Sequence, residues 1–435
     1  MRNIGIHGLL VVALVLGCGD PDDPLPSADP TGTTHAETTP PSTGTTDATG
    51  TTTEPSSADD TLGTHGTSSG TEGEGSSDSG PSTACGNGVI ESELCFHDAI
   101  DLPVDLAPSD LVLADLQGDG AVDIVTASVG ANGHSILLGD GQGGFSEPVL
   151  LYGGSGTRGV AAGHFDQDGI LDLAGANPGT QYVAVYFGDG LGGFSPQMPV
   201  GAPDGPRAVA IADLDADGWG DFVSVGETSG DVTVRRGDGA GGFSAPEVYP
   251  VGENPYDLVV VDLGADGNLD VAVANELSDT ISILPGDGSG ALGEEQFEWV
   301  GIGPRALAAA DLDGNGHLDL VSANFTSNDL GVVIADGRGG FENSWSYPVG
   351  NDPYSVALAD LTADGVPEIV VAQRFPALVG VHGRQPDGSY ALIELYEVPL
   401  NPLSVEIAHI DDDGAPDIVV ASSGANVVSV LLSNP

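Results

Sequence analysis

The sequence predicts an all-β protein: a seven-bladed β-propeller of four-stranded blades, closed by an N-terminal strand and preceded by a disordered linker. Three observations carry that expectation. A nine-residue acidic motif begins at Asp115, His164, Asp213, Asp262, Asp311, Asp360 and His409, a constant stride of 49 residues without insertion or deletion. Between motifs, each unit reads as four short apolar or alternating runs, punctuated by Gly, Asp and Pro and free of helical period. The last unit lacks its fourth run, and a spare run stands ahead of the first motif.

Residues 1–17 read as a signal peptide, because the apolar run that closes at Cys18 follows a single basic residue, Arg2, and is too short to span a bilayer. Val15-Leu16-Gly17-Cys18 resembles the lipobox of bacterial lipoproteins. That resemblance implies lipidation at Cys18, and Gly19 in place of aspartate implies sorting to an outer membrane or cell surface. An ordinary signal peptide cut elsewhere is the alternative. Residues 18–83 are Thr, Ser, Gly, Pro and acid, with too little to bury to offset the entropy of folding. They are expected to form a disordered tether whose root-mean-square span is about 45 Å.

Residues 84–98 form a small cysteine loop. Cys85 and Cys95 are the only cysteines left in a chain expected to be exported, so a disulfide between them is the natural pairing. The segment "ACGNGVIESELC" resembles the start of a cysteine-rich repeat of myxobacterial surface proteins and reads as a structural staple.

Residues 99–435 hold the repeats. In the third unit, "AVAIADL" runs into the acidic loop and "DFVSV" leaves it; "DVTVRRG" then reaches the turn "GDGAGGF", and "APEVYPVG" follows. Four strands in a unit of this length match a propeller blade, whereas calcium-binding β-helix repeats are far shorter. "AIDLPVDLAP", before the first motif, falls where "PEVYPVGENP" lies three strides later. It is expected to complete the seventh blade and leave no open sheet edge.

The motif is Asp-x-Asp-x-Asp-Gly-x-x-Asp. Oxygens at positions 1, 3, 5 and 9, with the carbonyl at position 7, suit calcium, a hard cation that takes six to eight oxygens. Carboxylates this close repel one another without a cation. Asp213, Asp215, Asp217 and Asp221 make the complete set, with the Trp219 carbonyl. Asp311, Asp313, Asn315 and Asp319, with the His317 carbonyl, come next, followed by Asp115, Gln117, Asp119 and Asp123. Asp262, Asp266 and Asp270 lack a ligand at Gly264, and Asp360, Asp364 and Glu368 rely on Thr362. The remaining loops pair His164 with Asp166, Asp168 and Asp172, and His409 with Asp411, Asp413 and Asp417; these two are expected to be weak or empty. The alternative for every loop is plain turn capping by side-chain hydrogen bonds.

Beyond the acidic loops, the units share "YFGDGLGGF" (Tyr186 to Phe194) and "ANELSDTISILPGDG" (Ala274 to Gly288). In these features residues 99–435 resemble the FG-GAP/VCBS repeats of integrin α-subunit propellers and bacterial surface proteins. The resemblance implies calcium in the loops of one face and a ligand surface on the other.

That opposite face begins each inner strand with Ser109, Arg158, Arg207, Tyr256, Arg305, Tyr354 or Leu403. Beside them the second strands end in Ser128, Asn177, Gly226, Asn275, Asn324, Gln373 and Ser422. Arginine forks, amides and aromatic rings bind carboxylates and sugars, so this ring is a candidate site for an acidic glycan or a partner's carboxylate. The duller reading is that the arginines pair with loop carbonyls and nearby acids.

A chain with 65 acidic residues, nine basic ones and a formal charge of −56 repels nucleic acid and anionic lipid, so any membrane contact is through the lipid anchor alone. No nucleophile elbow, zinc-helix motif or phosphate loop occurs, and His134, His317 and His382 read as scattered solvated loop residues. The expected function is a monomeric, calcium-binding surface module that holds a protein or glycan. Its rivals are a polysaccharide lyase or glycoside hydrolase built from distant carboxylates, and a purely structural surface protein.

Overall fold

The structure, a computed structural model, describes residues 94–434. The signal peptide, the tether, Cys18 and Cys85 lie outside the described residues. Seven four-stranded antiparallel sheets follow one another. Blade numbers below follow the acidic loops, so blade 3 carries loop 3, Asp213 to Asp221.

Blade 3 shows how the residues make the unit. Its innermost strand, Pro206–Ala212, is buried along almost its whole length, and Asp221–Gly226 beside it is buried throughout. Asp231–Arg235 and Glu247–Pro250 complete the sheet, the last being mostly exposed. Burial thus falls from the axis outward. Apolar side chains on the inner strands fill the seams between blades; one cluster joins Val223 and Val234 of blade 3 with Val271 and Ile283 of blade 4 and Leu320 of blade 5.

The ring closes as the sequence predicts. Ile100–Pro103 pairs with Val427–Leu431, Ile100 opposite Val430, and supplies the fourth strand of blade 7. This velcro extends further than the sequence suggested. Phe96 bridges Ser433, and Leu94 and Phe96 pack among Val370, Val405 and Leu431. Residues 94–98, expected with the cysteine loop, therefore belong to the propeller's packing, because two large apolar side chains there find a seam to fill.

The last acid of each motif is a structural clip. Asp221 Oδ2 accepts the Leu214 N–H at 2.9 Å, and Oδ1 accepts the Gly237 N–H at 2.9 Å, tying the exits of the first and third strands together. Asp123, Asp172, Asp270, Asp319 and Asp417 repeat the clip. Glu368, one methylene longer, instead takes the Leu361 and Thr362 N–H groups. The clip holds in the two histidine loops as well.

Two histidines correct the sequence reading. His134 and His382 are not solvated loop residues; they sit on the third strands of blades 1 and 6 and are buried. His134 occupies space that Gly175 leaves open in blade 2, where a Cβ would stand 2.4 Å from its Nε2. Burial pushes both imidazoles down to about 4, so they are neutral at pH 7.

Candidate functional site

The acidic loops fall into two conformations. In loops 1, 3, 4, 5 and 6 the fourth residue adopts positive φ: Gly118, Ala216 (54°), Ala265, Gly314 and Ala363. Alanine pays a steric cost there. The first aspartate of the motif holds the turn: Asp213 Oδ1 accepts the Asp217 N–H at 3.1 Å and Oδ2 the Gly218 N–H at 2.9 Å. Asp115, Asp262, Asp311 and Asp360 make the same pair of bonds. Loops 2 and 7 have histidine at that position and no left-handed residue at Gln167 or Asp412. His164 Nδ1 instead contacts the Ile170 carbonyl at 2.8 Å, the oxygen that a cation would require. In loop 2 that carbonyl is thus already engaged.

Among the described residues, two loops bring three carboxylates together. Oxygens of Asp213, Asp215 and Asp221 all lie within 4.8 Å of one another, as do those of Asp311, Asp313 and Asp319. Burial and then the neighbouring charges push Asp221 up to about 7 and Asp319 up to about 6. Asp215 is raised for the same reasons, with partial relief from the Arg236 guanidinium. Asp217 and Asn315 use an oxygen to accept the N–H of Trp219 and of His317. Those two side chains lie against Gly239 and Gly337 in the following turn, where a Cβ would clash. A preformed loop of hard oxygens under mutual repulsion fits a calcium-sized cation.

The other loops are looser. In loop 1, Asp119 bonds Ala121 N–H, while Asp115 and Asp123 serve as turn holder and clip; Gln117 is the expected third ligand. Loop 4 has Gly264 at that place, with Asp262 holding the turn, Asp266 bonding Asn268 N–H and Asp270 clipped. In loop 6, Asp364 bonds Val366 N–H, and the Thr362 hydroxyl expected as a ligand donates to Glu368 at 3.3 Å. Asp166 and Asp168 in loop 2, and Asp411 and Asp413 in loop 7, bond their own backbones.

The ring on the opposite face is closed. Arg207 and Tyr256 are 0% and 1% exposed, and the Arg207 guanidinium lies 3.2 Å from the centre of the tyrosine ring. Arg305 lies 3.8 Å over Phe325 and pairs with Glu276 at 2.6 Å; Arg207 pairs with Glu227 at 3.0 Å. The Tyr256 and Tyr354 hydroxyls bond to each other across the mouth. Arg374, which the sequence reading missed, joins at 4.7 Å from Phe325, with Asp352 3.7 Å away. Arg158 is only partly buried. Asn177, Asn275 and Asn324 spend their amides on Gly175 and Thr157, on Ser282, and on Asp329 and Ser322. The expected open ring is a packed plug, because alternating guanidinium and aromatic faces bury better on each other than they remain in water.

Apolar side chains surround that plug at the surface. Leu106, Ile302 and Leu400 in the links between blades, and Leu277 and Phe375 in the loops after second strands, are exposed. The strands alternate in direction, so these links and loops share the face opposite the acidic loops.

Five overlapping stretches, residues 115–175, 164–224, 213–273, 265–322 and 311–371, match the FG-GAP-like repeat. The chain belongs to that repeat family. No protein of curated function matches the FG-GAP chain in sequence. Among solved structures, BBS1N in complex with ARL6DN superposes with a TM-score of 0.57 at 12% identity, covering 78% of this chain and 96% of that one. Virginiamycin B lyase from Staphylococcus aureus with quinupristin superposes with a TM-score of 0.52 at 14% identity, covering 78% of this chain and 99% of the lyase. Both are likenesses of fold.

Proposed function

We propose that this FG-GAP propeller is a calcium-stabilised binding module that holds a protein partner on the face opposite its acidic loops. Lipidation at Cys18 and the tether that follows would carry it on a bacterial surface. The observation behind the binding reading is the set of exposed Leu106, Leu277, Ile302, Phe375 and Leu400 around a sealed mouth. Large apolar side chains gathered on one face are what protein contacts bury. The BBS1N propeller is likewise bound to a protein in its structure. Supporting calcium are the two carboxylate triads of loops 3 and 5. Binding is favoured over catalysis because His134 and His382 lie buried inside separate blades, away from any common site.

Photo-crosslinkers placed beside Leu277 and Ile302 on cells bearing the protein test the face. The expected result is a discrete crosslinked protein that disappears in the Leu277→Glu, Ile302→Glu double variant. Crosslinks that survive this change, or that arise equally from the acidic-loop face, overturn the assignment.

A further inference from the structure

Three buried carboxylates stand on the innermost strands, away from the acidic loops. Asp110 in blade 1 and Asp257 in blade 4 occupy equivalent positions, and both are buried. Each reaches into the following blade: Asp110 Oδ2 accepts the Val160 N–H at 3.0 Å, and Asp257 Oδ2 the Leu307 N–H at 2.8 Å. Their other oxygens accept the Leu111 and Leu258 N–H groups. They thereby satisfy donors on the axial edge of the inner strands, which have no neighbouring strand there. In blade 6, Ser355 does the same for Val405 N–H.

Glu406 has no such task. It lies on the inner strand of blade 7, is 3% exposed, and its Oε1 is buried without a hydrogen-bond partner. Burial, then the charges of Asp110 and Asp257, push its carboxyl well above the usual range. Blades 4 and 7 share no seam, so groups that feel one another across them gather at the axis. Two residues before Glu406, the Ser404 hydroxyl lies 3.3 Å from Asp110 Oδ1. Glu406, Ser404 and Asp110 therefore border one seam, between blades 7 and 1, where the ring closes.

The two ends of the channel differ. The guanidinium–tyrosine plug seals one. At the other, six of the seven inner strands finish in small, partly exposed residues, Ala114, Gly163, Ala212, Ala310, Ala359 and Ala408, and the seventh in the buried Val261, on the face that carries the acidic loops. A strongly negative rim concentrates cations at such an opening.

We infer that the axial channel holds a divalent cation, bound by Glu406 Oε1 and Asp110 with the Ser404 hydroxyl, at the closure seam of the ring. The donors are hard oxygens, which select calcium, magnesium or manganese over softer metals. Direct contact is assigned to Glu406 and Asp110 because the Ser404 hydroxyl, two residues before Glu406 on the same strand, lies 3.3 Å from Asp110 Oδ1. The orphaned Glu406 oxygen is the reason for a ligand: a buried carboxylate oxygen with no donor is costly unless a proton or a cation meets it.

Manganese tests this directly, since its anomalous scattering marks each bound ion. Crystals of the protein grown with Mn2+ are expected to show a peak beside Glu406 as well as peaks in loops 3 and 5. In Glu406→Gln crystals the axial peak is expected to vanish while the loop peaks stay. Occupied loops with an empty axis in the wild type overturn the proposal and leave a proton as the partner of Glu406. So does an axial peak that persists in the glutamine variant. If that variant does not fold, the wild-type map alone decides.

Discussion

The guanidinium of Arg207 lies flat against Tyr256, 3.2 Å from the ring centre, and both side chains are fully buried beside the axis. This contact joins blades 3 and 4 and closes that end of the axis. The plug is therefore a stabilising element, and the proposed partner contact on this face falls to the links and loops around it.

Arg207→Ala removes a desolvated cation–π contact and the partner of Glu227, and is expected to destabilise the propeller by about 2 kcal/mol or more. Arg207→Lys should recover only part of that loss, because an ammonium does not stack. Urea denaturation of the two variants beside the wild type checks both values.

Asp215 and Asp221 allow the proposed calcium binding to be tested apart from clipping. Asp215→Asn is expected to lose the loop 3 ion while the metal-free protein keeps its stability, since one like charge leaves the triad. Asp221→Asn exchanges one acceptor oxygen for a donor facing the Leu214 or Gly237 N–H, and should cost about 1–3 kcal/mol with or without calcium. Calcium counting by native mass spectrometry and melting in chelator distinguish the two. Equal behaviour of both variants would show that loop 3 does not divide its labour in this way.

Loop 2 can be converted. His164→Asp frees the Ile170 carbonyl and restores the turn holder, and Gln167→Gly permits the left-handed residue that the binding-type loops have. The double variant is expected to bind an additional calcium ion; His164→Asp alone should bind it more weakly. An unchanged ion count in the double variant would mean that the turn conformation is not what limits loop 2.

Asp257 gives the fold a pH dependence. Burial is the largest influence and pushes its carboxyl up to about 8, above its unfolded value near ~4. The folded state thus binds more protons than the unfolded state between these limits. Its contribution to stability is complete below about pH 4 and is lost as pH rises through about 8. Measured in chelator from pH 5 to 9, the wild type should lose stability relative to Asp257→Asn as pH increases. A constant difference across that range would place the proton elsewhere.

Much of the fold is legible in the residues. The unbroken stride from Asp115 to His409 is a statement about packing: identical spacing requires identical seams, and four runs per unit leave a propeller as the architecture. The rank of the acidic loops is legible for the same local reason, since a turn of nine residues brings its own side chains together. Loops 3 and 5, which alone carry aspartate at the first, third and ninth motif positions together, are the two that gather carboxylates among the described residues.

Local order does not reach across blades, and there the reading and the structure part. Arg207 and Tyr256 are a full stride apart, so nothing in either unit says that one will lie on the other rather than face a ligand. His134 reads as a solvated residue until Gly175, in the next blade, is seen to leave room for it. The distant pair of Asp110 and Ser404 meets only because the chain's two ends share blade 7 and bring its seam with blade 1 together. Repetition along the chain determines the blades and their loops, because those contacts are short in sequence. The plug and the axial acids were decided by ring closure, which sets far-apart side chains in one water-poor space and makes their burial depend on each other.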